Sequence, residues 1–73
     1  MAEKIKISTP FIKLDQFLKF SGLVEMGADA KFLVQEGYVK VNGETELRRG
    51  KKLVSGDKVE VNYEGQHFEI EVE

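Results

Sequence analysis

Between Ala30 and Lys52 the chain changes its hydrophobic period in mid-course, and that change limits what it can fold into. Ala30, Leu33 and Val34 recur at helical spacing, and Gly37 follows as a stop. Tyr38, Val39 and Val41 then read as a short strand, and Asn42-Gly43 is the strongest short-range hairpin signal. Arg48, Arg49, Lys51 and Lys52 come next, broken only by Gly50. A helix that runs straight into a tight β-turn and a basic run calls for a mixed α and β architecture.

The flanking segments extend this pattern. Glu3 to Ser8 alternates, with Ile5 and Ile7 on one side and Lys4 and Lys6 on the other, as in a half-buried strand that Thr9-Pro10 breaks. Leu14, Phe17, Leu18 and Ser21 fall on one face of a first short helix, with Asp15, Gln16 and Lys19 outward and Gly22 as its stop. Leu23, Val24 and Met26 are expected to plug the gap before a second helix from about Ala28 to Glu36. Beyond Ser55-Gly56-Asp57, Val59, Val61 and Tyr63 share one face of a strand. Glu64-Gly65 turns the chain, and Phe68, Ile70 and Val72 return on the same face. The fold class is α+β: two short helices, paired like a helix-turn-helix, on a small, mostly antiparallel sheet.

Seventy-three residues support one domain, spanning 1–73, with a small core. The absence of cysteine removes disulfides, thiol chemistry and Cys-based zinc sites, and one histidine, His67, cannot build a His cluster, so neither metal nor cofactor is expected. No apolar run approaches the roughly 20 residues of a membrane span, and MAEKIKIST lacks a signal-peptide core, so a cytoplasmic protein with no membrane partner is expected. Paired catalytic carboxylates, a nucleophile–base arrangement and a phosphate-binding glycine loop are all missing, so no enzyme is expected.

The charges are divided along the chain. Residues 1–58 hold all 11 basic residues and eight of the 13 acidic ones, whereas residues 59–73 carry five glutamates and no basic residue. A phosphate backbone responds to the nearest patch, because distant charges are screened over about 8–10 Å. A net charge of −2 therefore does not exclude nucleic acid. The basic cluster would face the partner, and the acidic C-terminal hairpin would face away.

In order along the chain, Lys13-Leu14-Asp15-Gln16-Phe17-Leu18, Gly22-Leu23, Ala30-x-x-Leu33-Val34-x-x-Gly37-x-Val39-x-Val41-Asn42-Gly43 and Val54-x-Gly56-Asp57-x-Val59-x-Val61 together resemble the S4 RNA-binding domain. The match covers about residues 12–61 and looks like the short stand-alone bacterial members of that family. The resemblance implies binding of structured RNA; ribosomal RNA, transfer RNA and a ribosomal complex all suit a backbone-reading patch, and a monomer is expected. On this pattern Lys13, Lys31, Asn42, Arg48, Arg49, Lys51 and Lys52 fall on the RNA surface, and Lys19 is a further basic candidate for contact. Many family members carry Ser-Arg where this chain has Met26-Gly27, so a guanidinium contact is missing there.

Other residues read as structural. Asp15 suits a helix start, Asp57 its own turn, and Asn42 is chiefly a turn residue. His67 reads as a lone exposed histidine without an acid–base partner. The phenylalanines are core by default, although Phe20 and Phe32 lie off the inward helix faces and are open to stacking or to a partner. A DNA reader needs a basic second helix, and Ala28–Glu36 offers only Lys31 beside Asp29 and Glu36. The alternative to RNA is a protein-interaction adaptor that uses the helix pair.

Overall fold

The computed structural model describes residues 3–73. Both hairpin turns form where the sequence places them. Asn42 and Gly43 take φ of 53° and 86°, and Glu64 and Gly65 take 50° and 76°. Two consecutive left-handed residues match the right-handed twist of the flanking strands, which is why Asn-Gly suits the first loop. These turns join β3 (Val39–Val41) to β4 (Glu44–Thr45), and β6 (Lys58–Tyr63) to β7 (Gln66–Val72).

With β1 (Glu3–Ile5), these strands make a five-stranded sheet in the order β1-β7-β6-β3-β4. All neighbours are antiparallel except β1, which lies parallel to β7 with Glu3 opposite Ile70. A separate two-stranded ribbon pairs β2 (Ile12–Lys13) with β5 (Lys52–Leu53). Strands of two residues have no period to read, and the sequence pattern does not reveal this ribbon.

Helices α1 (Leu14–Phe20) and α2 (Gly27–Gln35) cover one sheet face. At the end of α2 the Tyr38 N–H donates to Leu33 O and the Gly37 N–H to Val34 O, with Gly37 at φ 84°. This Schellman closure turns the chain into β3. At the end of α1, Ser21 relays the equivalent bond, since its hydroxyl donates to Leu18 O and accepts from the Leu23 N–H.

The core joins Leu14, Phe17 and Leu18 of α1 and Ala30, Leu33 and Val34 of α2 with Val39, Val41, Val59, Val61, Ile70 and Val72 of the sheet. Leu53 of the ribbon and Val24 of the helix connection complete it. Met26, expected to plug that connection, is exposed, and Leu23 is half-buried.

Among the phenylalanines only Phe17 is buried; Phe11, Phe20, Phe32 and Phe68 are 40%, 61%, 46% and 39% exposed. Phe68 departs from expectation because of length. It projects to the core side opposite Val61, but seven- and nine-residue helices span only about 10 and 13 Å. Strand β7, also of seven residues, runs about 23 Å. The helices cannot cover both ends of the sheet.

Leu33 joins this core from the last turn of α2 and is 7% exposed. Leu33→Ala is expected to cost about 2–5 kcal/mol, most of the stability of so small a chain, in chemical denaturation followed by circular dichroism.

Candidate nucleic-acid interface

Lys13 is the N-cap residue of α1, and its side chain cannot accept the hydrogen bonds that a helix start requires. The basic cluster supplies acceptors from its backbone. The Leu14 N–H donates to Lys51 O at 2.8 Å, and the Asp15 N–H donates to Arg49 O at 3.1 Å. The cluster is thereby fastened to the first helix. Its Arg48–Lys51 segment closes as a turn, with the Lys51 N–H on Arg48 O.

The ribbon then brings Lys13 directly opposite Lys52. Like charges across a strand pair repel, so this pairing gathers positive potential at a cost in stability. The Lys52 ammonium lies 4.8 Å from the centroid of the Phe11 ring. That cation–π contact orients the lysine and gives exposed Phe11 a role its sequence position does not signal.

The four clustered cations are not equivalent. Arg48 faces Glu46: Nε is 3.0 Å from Oε2, Nη2 is 3.3 Å from Oε1, and the Arg48 N–H also donates to Oε2. The bonds from the Arg48 side chain hold the Glu46 carboxyl below its usual range, against a smaller opposing effect of burial. Arg48 therefore carries an internal counter-charge. Arg49, Lys51 and Lys52 have no ion pair within 4.0 Å among the described residues.

Asn42 works as a clamp. Its Nδ2 donates to Asp57 Oδ1 at 3.0 Å and its Oδ1 accepts from the Lys58 N–H at 2.9 Å, while Asp57 Oδ2 accepts from the Val54 N–H. The clamp ties the β3–β4 turn to the end of the ribbon, and it engages both the amide nitrogen and the carbonyl oxygen of Asn42. Lys19 is exposed in the last turn of α1, and Lys31 is exposed on α2. The structure thus joins Lys13, Arg48, Arg49, Lys51 and Lys52 around the start of α1, with Asn42 linked through Asp57 and Lys19 and Lys31 standing on the helices. Glu46 and Phe11 were not singled out as site residues. The Phe11–Lys52 contact joins distant segments and leaves no mark in local spacing, whereas Glu46 stands only two residues from Arg48.

The outward face of the β6–β7 hairpin corrects the reading of His67. Strand register sets His67 opposite Asn62 and Glu69 opposite Glu60. His67 Nδ1 meets Asn62 Oδ1, and donor atoms of Glu60, His67 and Glu69 lie within 4.8 Å of one another. The exposed histidine therefore has carboxylate neighbours, both of them half-buried. They belong to the acidic side of the sheet, where Lys4 reaches Glu71 at 4.0 Å. Among the described residues no helix is long and apolar enough to cross a membrane.

A short helix capped by a basic loop, set on a mixed sheet with Asn-Gly and Gly-Asp turns, is the arrangement of S4-type domains. The S4 domain family model matches residues 5–71, and the chain belongs to that family. It is 46% identical over 61 residues, 84% of this chain and 86% of the relative, to RlbA of Bacillus subtilis (strain 168), named as a probable ribosome maturation protein. It is 44% identical over 50 residues, 68% of this chain and 71% of the relative, to YbcJ of Escherichia coli (strain K12). The solution structure of Escherichia coli YbcJ, described as revealing an ALFAL motif involved in RNA-binding, matches with a TM-score of 0.64 at 32% identity. That match covers 96% of this chain and 87% of the other.

Glu46→Gln tests the internal counter-charge. The folded-state Glu46 carboxyl titrates below 4.5, so its pairing stabilises the fold above that pH and is lost as pH falls through the lowered value. Thermal melts at a series of pH values should show parent and variant separated near neutrality and converging below about pH 4.5.

Proposed function

We propose that this protein is a non-catalytic, monomeric, cytoplasmic module that binds structured RNA through its phosphate backbone. Arg49, Lys51, Lys52 and Lys13 are the principal contacts, and Arg48 contributes once phosphate competes with Glu46. Lys19, Lys31 and Asn42 are outlying contacts. The observation that carries this reading is the grouping of five cations around the start of α1 against the one carboxylate that pairs with them, Glu46.

The chemistry suits a backbone partner. Arg binds phosphate in a forked geometry and Lys acts as a point charge, so a mixed patch follows the path of a phosphate chain without reading bases. A-form RNA hides its base edges in a deep, narrow groove, which favours a reader of shape. A DNA reader would place a basic helix in the major groove, whereas α2 presents Asp29 as well as Lys31. The similarity to RlbA favours ribosomal RNA or a maturing ribosomal particle over transfer RNA.

Recovery and sequencing of RNA crosslinked to the protein in cells identifies the partner; recovery of no structured RNA would overturn the reading. In purified form, about four phosphate contacts should give a slope of roughly −3 to −4 in log K against log salt. Changing Arg48, Arg49, Lys51 and Lys52 together to Gln should remove most of the affinity and flatten that slope. Beyond the loss of the Arg48–Glu46 pair, melting should change little, because exposed charges typically contribute within about ±0.5 kcal/mol each and the capping carbonyls of Arg49 and Lys51 belong to the backbone. Glu69→Lys with Glu71→Lys should leave the identity of the bound RNA unchanged.

A further inference from the structure

We propose that a pocket between the α1–α2 connection, α2 and the end of β6 receives a lysine or arginine side chain from an extended basic polypeptide. The pocket is about 340 Å³. It is lined by buried Val24 and Leu33, half-buried Leu23 and Tyr63, and exposed Phe32, Glu25 and Asp29. The Phe32 and Tyr63 rings meet edge to face, 5.8 Å apart at 80°, and Tyr38 lies 4.9 Å from Tyr63 behind them. Phe32 is 46% exposed, so a large apolar ring faces water in a chain whose core is small.

The charges around these rings select the occupant. Glu25 and Asp29 are exposed, and neither has an ion pair within 4.0 Å among the described residues. No basic residue lines the pocket. Along α2 and its C-cap, Asp29, Phe32 and Glu36 follow at spacings of three and four and share a face, whereas Lys31 points to another side. A phosphate would be repelled here. A cationic side chain finds what it needs: aromatic surface for its methylene stem and the cation–π attraction of the ring faces, then carboxylates for its head.

The position permits two partners at once. Tyr63 closes β6 at the end opposite Lys58, and the cationic ribbon is tied to the Lys58 end through Asp57 and Val54. Six residues of strand separate those ends by about 17–20 Å, beyond the screening length at physiological salt. The acidic pocket and the basic patch therefore do not cancel each other. The inference does not depend on the RNA reading.

The test uses the whole protein and a short unstructured peptide of alternating Lys and Ser, followed by backbone amide NMR. Binding should shift resonances of Glu25, Asp29, Phe32 and Tyr63, and the same peptide with acetylated lysines should not bind. Glu25→Gln with Asp29→Asn should weaken binding by at least about threefold. Phe32→Leu, which retains apolar bulk without a ring face, should weaken it about two- to fivefold. All three substitutions are at exposed positions, and circular dichroism checks that the fold is intact. Glu69→Gln with Glu71→Gln, on the outer sheet face, should leave peptide affinity unchanged. Failure of the basic peptide to bind overturns the proposal. So does equal weakening by the sheet-face variant, which would show only diffuse acidity. Pocket variants that alter RNA affinity and not peptide affinity would assign the pocket to the RNA interface and also overturn it.

Discussion

Two backbone hydrogen bonds at the start of α1 hold the molecule's arrangement together. A helix begins with unsatisfied N–H groups, and most proteins place a small polar side chain there to accept them. This chain places Lys13 there, which can only donate. The acceptors come instead from Lys51 and Arg49, far along the chain. Because the bonds use carbonyl groups, the side chains of the same residues stay free. Capping the helix and presenting the cations are thus done by different atoms of one segment, and this separation allows charge changes in the patch with little loss of fold.

The charge distribution follows the same economy of position. Lys13 opposite Lys52 and Glu60 opposite Glu69 are both like-charge pairs, set by strand register on different parts of the molecule. Each costs some stability in isolation. Together they give the molecule a cationic ribbon and an acidic outer sheet face. Small proteins cannot bury charge, so a division of this kind is how an acidic chain presents a basic surface. The pairing of Arg48 with Glu46 trims that surface without removing it.

Much of the fold is legible in the sequence, and the reasons differ between elements. The helices announce themselves because Leu14, Phe17 and Leu18, and then Ala30, Leu33 and Val34, fall on single faces that the core buries. The hairpins do so because Asn42-Gly43 and Glu64-Gly65 adopt the left-handed backbone those residue pairs signal. The β2–β5 ribbon and the parallel placement of β1 stay hidden, since both arise from pairing between distant segments. Phe68 is exposed although its register faces the core, because strand alternation gives a side chain's face but not whether a helix reaches over it. The basic cluster was visible as composition. Its division into a paired Arg48 and three cations without an ion pair required the fold of residues 46–51.

The parallel pairing of β1 with β7 has a kinetic side. It joins Glu3 to Ile70 across nearly the whole chain, while the β6–β7 hairpin beside it closes over a two-residue turn. Loop-closure entropy rises with the length enclosed, so the hairpin and the helix pair gain their contacts long before β1 can dock. Until that happens β7 is an open edge with unpaired backbone groups, the kind of surface that recruits strands from other molecules. Docking of β1 therefore replaces the seven-residue β7 edge with a three-residue one, and on a translating ribosome it must wait until β7 has emerged.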